Sequence, residues 1–242
     1  MVIVQHYAHS AKHYAEATPF PGRLFAVPDQ CPHPDCRAPD ALIRWGTYER
    51  QARTGLVSYR IRVQRVRCKA CGRTHSLLPD FLHPYRHYEI VLLQHVVSLY
   101  LLVGLGINRL IERVPGCGPG RSTVREWITS FAYGAGKLLF DVLLRGMMKI
   151  TPLAELAEGP VPDHLDRPLS PIKQHRLGRA HRFWRLAEHL YAEAKVRLPR
   201  LHFRTDHLFS FVLHWLQRQG VPPRIFWSPR LFTTPTEPFW PA

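Results

Sequence analysis

Four of the five cysteines in this chain fall into two short clusters, "CPHPDC" at 31–36 and "CKAC" at 68–71. Two thiols two to four residues apart supply two corners of a tetrahedral metal site from one tight turn, and two such turns complete it. Cys68 and Cys71 have the tighter spacing and are followed by Gly72, a residue suited to a knuckle turn. Between Cys31 and Cys36 lie Pro32 and Pro34, which stiffen the turn and lower the entropy lost on closing it. The spacing therefore predicts Cys31, Cys36, Cys68 and Cys71 as ligands of one structural Zn²⁺, with no open position for a reacting water. Two histidines offer an alternative ligand set: His33 inside the first cluster or His75 just after the second could replace a thiolate. A thioredoxin-like redox pair would need a βαβ context, which the sequence around either cluster lacks.

The elements that must carry these turns are legible nearby. "ALIRWGTYER" and "LVSYRIRVQRVR" are rich in β-branched and aromatic residues and are joined by "QARTG". Tyr59, Ile61 and Val63 alternate with Arg60, Arg62 and Gln64, so the second strand has an apolar face and a basic one. Two antiparallel strands would set the cysteine clusters side by side at one end of a hairpin, as in a zinc ribbon. A metal there is expected to supply about 10 kcal/mol to a small sheet without a core of its own.

Beyond a proline-punctuated connector (78–89), helical periodicity runs over 88–103, with Val91, Leu92, Val96, Leu99 and Val103 as its apolar positions. A short helix is predicted at 106–114, then a glycine- and proline-rich turn containing Cys117, then a third helix over 121–132. In the last, Ser122 is placed as N-cap, Val124, Trp127, Ile128 and Phe131 share one face, and Arg121, Ser122, Thr123 and Arg125 face outward. The pair reads as a helix-turn-helix, whose second helix enters the major groove by its N-terminal side chains. Arg125 would pair with guanine, and Ser122 and Thr123 would reach phosphate or base.

Charge points the same way. The chain has 33 Lys and Arg against 18 Asp and Glu, a net charge of +15, which favours a polyanionic partner and, above all, nucleic acid. Hydrophobic residues make up 45% of its 242 residues, enough to bury a core. The apolar stretch 90–107 carries Gln94, His95 and Ser98 and is interrupted by Gly104 and Gly106, so a buried helix is expected rather than a membrane span. With no secretory leader recognisable at the N-terminus, a reducing cytoplasm is the expected compartment, where clustered cysteines serve metals. In "KQHRLGRAHRFWR", Lys173, Arg176, Arg179, Arg182 and Arg185 recur every three residues, a stripe that winds about 60° per step around a helix. Such a stripe suits contact with phosphates along a groove, anchored by Phe183 and Trp184. The tail from 228 onward, rich in proline, is expected to be extended.

"VIVQHY", a cysteine pair, "RCKACGRTHSLLPDFLHPY", an apolar helix and "GPGRSTVREW" occur in that order over residues 1–135. In this the chain resembles a bacterial family of uncharacterised transposase-associated proteins, with "CKACGRTHSLLPDF" carrying most of the resemblance. The resemblance implies a zinc ribbon followed by a helix-turn-helix, with Cys31, Cys36, Cys68 and Cys71 as ligands and Ser122–Phe131 as the recognition helix. The first cluster has two residues more than the family's usual CxxC.

The expected fold class is thus α+β: a zinc-ribbon region at 1–80, a helix-turn-helix region at 81–135, and a helical, basic region at 136–242. The expected function is binding of double-stranded DNA at transposon ends, with strand transfer supplied by a separate transposase. A transposase core would converge three carboxylates on two metal ions, from consecutive strands. The C-terminal sequence reads instead as helices, and only Asp141 and Asp206 invite that role. A divergent nuclease, a transcriptional regulator and an RNA-binding ribbon are the competing readings; cleavage dependent on Asp141 or Asp206, promoter protection, or preference for structured RNA would mark each.

Overall fold

The computed structural model describes residues 1–17, 24–114, 116, 118–131, 142–145, 170–197 and 207–226. The fold is mixed α+β: a four-stranded sheet against a group of helices. Strand β1 (Val2–Gln5) is followed by helix α1 (Ala11–Ala17), then β2 (Leu42–Arg53), β3 (Ser58–Cys68) and β4 (Thr74–Pro79). The helices are α2 (Ile90–Leu102), α3 (Ile107–Glu112), α4 (Arg121–Thr129), α5 (Pro171–Arg197) and α6 (Leu208–Arg218).

Strand order is β1-β4-β3-β2, with β1 parallel to β4 and the other pairs antiparallel. The β2–β3 hairpin runs from Arg53 opposite Ser58 at its tip to Leu42 opposite Cys68 at the cysteine end. Thr54 closes the tip: its hydroxyl accepts the amides of Leu56 and Val57. Near the other end a bulge between Arg44 and Gly46 leaves Trp45 unpaired, with Gly46 at φ 144.

Register explains which residues are buried. Ile61 and Val63 lie on one face of β3, together with their partners Arg50 and Tyr48 on β2. Gln64, Val66 and Cys68 lie on the other, opposite Leu77 and His75 of β4, and α1 covers that face. The Tyr14 hydroxyl donates to the Arg62 carbonyl across this contact. The expected alternation of Arg60, Arg62 and Gln64 is present, but Gln64 is fully buried rather than solvated, because α1 reaches over it.

The sheet also has a core, contrary to the expectation of a hairpin held by metal alone. Ile3, Tyr14, Phe25, Ile61, Val66, Leu77 and Phe81 are among the residues of one apolar cluster. Strands β1 and β4 and helix α1, none of them evident from local pattern, are what build it. Part of the presumed connector, from residue 78, is the end of β4.

A second cluster joins α2, α4, α5 and α6 through Leu93, Val96, Trp127, Phe131, Phe183 and Phe209. Phe131 lies 5.4 Å from Phe183 and 5.7 Å from Phe209, ring centre to ring centre. Helix α2 is apolar nearly all round, as suits a helix that meets α3, α4, α5 and α6 at once. Its buried residues are Ile90, Leu92, Leu93, Val96, Val97, Tyr100 and Leu101, whereas Val91 and Val103, expected on the buried face, are exposed. No described helix is long and apolar enough to cross a membrane.

Two polar ties lock sheet to helices. Buried Asp80 accepts hydrogen bonds from the Tyr7 amide (3.1 Å), His6 Nδ1 (2.9 Å) and His214 Nε2 (3.2 Å). Burial pushes its pKa up, but the hydrogen bonds from His214 and His6 outweigh this and hold it below the usual carboxylate value. Gln217 brackets the backbone of Val4, accepting its amide at 2.6 Å and donating to its carbonyl at 3.1 Å.

Candidate metal centre

The four cysteine sulfurs lie within 4.8 Å of one another. Each cluster forms its turn by the same backbone device. The Gly72 amide donates to the Cys68 carbonyl, and the Arg37 amide to the His33 carbonyl. In both, the residue after the second cysteine is left-handed: Gly72 at φ 71 and Arg37 at φ 45. The bases of the turns are closed by the Cys68 amide to Arg73 and the Cys31 amide to Ala38. The two-residue excess of the first cluster is thus taken up outside the shared turn, between Cys31 and His33.

Across the clusters, Cys31 Sγ is 3.9 Å from Cys71 Sγ, and Cys36 Sγ is 3.7 Å from Cys68 Sγ. Ligands about 2.3 Å from a tetrahedral Zn²⁺ stand about 3.8 Å apart, a separation these two cross-cluster pairs match. The thiols differ in acidity. Burial pushes Cys31 up to about 12, whereas backbone amides, chiefly that of Cys71, bring Cys68 down to about 7. Four thiolates this close repel one another strongly, and a bound cation is what permits them all to ionise.

The two histidines separate. His33 accepts the Asp35 amide through Nδ1 (3.3 Å) and is not one of the four clustered ligands. His75 is 1% exposed, its Nε2 3.5 Å from Cys31 Sγ, and its Nδ1 has no hydrogen-bond partner among the described residues. Burial, with the positive charges of the N-terminal amine, His33 and Arg73, lowers its pKa to about 4. His75 is therefore neutral near pH 7, and against a Cys31 thiolate its Nε2 must carry the proton and donate it to sulfur. It backs the Cys31 sulfur, as an outer partner of a candidate ligand does.

The candidate nucleic-acid contacts fall on three elements. On β3, Arg60 and Arg62 are exposed, each 3.8 Å from Glu49. On α4, Arg121, Ser122 and Arg125 are exposed and Thr123 is half-buried, while Val124, Trp127 and Ile128 face the core. The helix begins at Arg121, as expected, but its N-cap is Gly120, two residues before the expected Ser122, and no side chain caps it. Glu126 pairs with Arg86 at 2.6 Å, tying α4 to the segment after β4. On α5, Arg182 and Arg185 are exposed beside buried Phe183 and Trp184, with Arg185 3.7 Å from Glu188. The side chains of Lys173, Arg176 and Arg179 lie outside the described residues, as do Cys117, Asp141, Asp206 and the tail from 227 onward.

Residues 31–102 match the family model of a domain of unknown function, DUF6431. The match starts at the first cysteine and ends with the last residue of α2, so it takes in all four sulfurs, β2–β4 and the first core helix. No curated protein and no solved structure matches the chain.

Local pattern did not reveal Asp80 and its histidines, or the stacking of Arg67 on Trp45 at 4.6 Å beside the bulge. The partners of Asp80 come from residues 6 and 214, and such a tie leaves no periodic or spacing signal.

Proposed function

We propose that this chain is a zinc-stabilised protein that binds double-stranded DNA at transposon ends and works with a separate transposase that performs strand transfer. The carrying observation is α4, whose N-terminal turns turn Arg121, Ser122 and Arg125 outward while Val124, Trp127 and Ile128 anchor the opposite side. With α3 before it and residues 113–120 between, the pair supports a helix-turn-helix reading in which α4 enters the major groove. Soft thiolate ligands at tetrahedral spacing favour Zn²⁺ among the common cations and assign it a structural role. The net charge of +15 supplies the sequence-independent attraction to phosphate. Transposition rests on the resemblance of residues 1–135, and the reducing cytoplasm on the use of thiolates as ligands.

The test is binding of zinc-loaded protein to labelled duplexes carrying element ends or scrambled sequence, across a salt series. Arg125→Ala is expected to relax sequence preference by about 1–3 kcal/mol at one base position. Arg60→Ala and Arg62→Ala are expected to weaken all duplexes alike and to lower the salt slope by about one each. Unchanged binding in all three variants would remove the assignment.

A further inference from the structure

On the face of the sheet away from α1, at its cysteine half, lies an open cavity of about 470 Å³. Val2, Ser76 and Arg65 form its floor as cross-strand neighbours on β1, β4 and β3, flanked by Thr74 and by Tyr48 of β2. Tyr85, from the segment after β4, forms its wall. Among the described residues Arg65 forms no ion pair, and the side-chain hydroxyls of Thr74 and Ser76 make no hydrogen bond. Glu49 also reaches the rim, but its carboxylate is engaged by Arg60 and Arg62.

Tyr85 is unusual twice over. It is 63% exposed, and its backbone sits at φ 64, a left-handed conformation that costs a non-glycine residue about 1 kcal/mol. Strain retained at an exposed aromatic side chain is a sign of use rather than of packing. One face of its ring is covered by the Arg224 guanidinium, 4.4 Å from the ring centre.

We propose that this cavity binds a nucleotide, its phosphate held by Arg65 with Thr74 and Ser76 and its base stacked on the tyrosines. An unpaired guanidinium beside two free hydroxyls suits phosphate oxygens. The volume greatly exceeds what inorganic phosphate fills and falls in the range of small-molecule sites. Aromatic rings backed by arginine are how proteins hold bases irrespective of sequence. The site stands apart from duplex reading by α4, although the two are neighbours: Arg86, next to Tyr85, is the residue paired with Glu126. The nucleotide comes either free or as the unpaired end of a strand.

The experiment titrates the zinc-loaded 242-residue chain with thymidine 5′-phosphate, a (dT)₆ oligonucleotide, inorganic phosphate and an Asp/Glu-rich peptide, read by calorimetry. The expected result is saturable binding of the nucleotide or the oligonucleotide, weakened at least tenfold by Arg65→Ala and at least fivefold by Tyr85→Ala. Arg65→Lys should restore part of it, and duplex affinity should hold within threefold in the Tyr85 variant. Equal affinity for the monomer and the oligonucleotide identifies a free nucleotide, and much tighter oligonucleotide binding identifies a strand end. Binding of phosphate or peptide as tight as that of nucleotide overturns the proposal. So does an Arg65→Ala protein with full zinc content and unchanged nucleotide affinity, or no binding at all. Loss of duplex binding alone bears on the function of α4 and leaves this site standing.

Discussion

The two ends of the β2–β3 hairpin are secured by different chemistry. At the cysteine end, beyond the Leu42–Cys68 rung, four sulfurs from two turns converge, and the direct tie between the segments is the Lys69 amide to the Ala41 carbonyl. At the tip, Arg53 is bonded to its neighbours in both directions, its amide to the His87 carbonyl (2.7 Å) and its carbonyl from the Glu89 amide (2.9 Å). Arg50, 9% exposed, donates to the His83 carbonyl at 2.7 Å and also to that of Arg86, and Arg53 lies over the Tyr88 ring. One end gathers four sulfurs close enough to share a single ion, and the other spreads the same task over backbone bonds and packing. Because the sheet has its own core, the consequences of losing either should stay local.

Metal removal is the strongest way to break this contrast. Chelation withdraws about 10 kcal/mol of apparent binding energy from the cysteine end. Hydrogen exchange at the Cys31 and Arg37 amides should then accelerate by orders of magnitude, while the Arg53 and Glu89 amides keep their protection. Equal loss of protection at both ends would show that the ion holds the whole sheet together.

The reverse experiment is Arg50→Ala. It removes a buried cation from the His83 carbonyl, which keeps the Arg86 amide, and from the Arg86 carbonyl, which loses its side-chain donor, at a cost of about 2 kcal/mol. Urea unfolding should show this loss while zinc stoichiometry stays at one per chain. A fall in zinc content would mean that the two ends communicate.

Acid sharpens the comparison, since each end fails by its own route. At the cysteine end, protonated thiolates release the metal. On the helical side, His83 is completely buried, accepts the Ile225 amide on Nε2 at 2.9 Å and faces the Pro84 carbonyl through Nδ1 at 2.7 Å. Burial holds its pKa down to about 3, against an ordinary 6.5. A histidine kept neutral in the folded state contributes its full stability above pH 6.5 and loses it as pH falls toward 3. The loss is about 1.4 kcal/mol per pH unit within that window. His83→Gln, whose side chain can still accept one amide, should flatten the slope by one proton without altering the pH of zinc release.

How much of this was legible beforehand follows from what each feature depends on. The cysteine turns and the amphipathic α4 are written in spacing: CxxC-Gly in one case and Val124, Trp127, Ile128 in the other. The long hairpin showed itself through Tyr59, Ile61 and Val63, because one face of that stretch is buried along its length. Strand β1 did not, since four residues pairing in parallel with β4 across more than seventy positions carry no local turn signal. The buried face of α2 was misread at Val91 and Val103 because a helix surrounded by others has little amphipathic contrast. Gln64 was misread because the cover over it, α1, comes from the far N-terminal segment.

The smallest effects concern single left-handed residues at the two ends. Gly116, at φ 72, lies against the hairpin tip, where an added Cβ would meet the Gly55 carbonyl oxygen at 2.9 Å and Leu56 Cα at 3.4 Å. Those are backbone atoms with little room to yield, so Gly116→Ala should cost about 2 kcal/mol, strain and overlap combined. Gly72, at φ 71, would find only the Arg67 guanidinium at 4.0 Å, so Gly72→Ala should cost about 1 kcal/mol from backbone conformation alone. Arg37 already occupies the corresponding place in the first turn at φ 45. Glycine there relieves the left-handed strain but gives the unfolded chain more freedom, two contributions of about 1 kcal/mol with opposite sign. Arg37→Gly should therefore leave thermal stability and zinc affinity within about 0.5 kcal/mol of the parent. A clear gain in the zinc-loaded protein would mean that the first turn is strained onto its metal, making the cysteine end itself a pair of unequal halves.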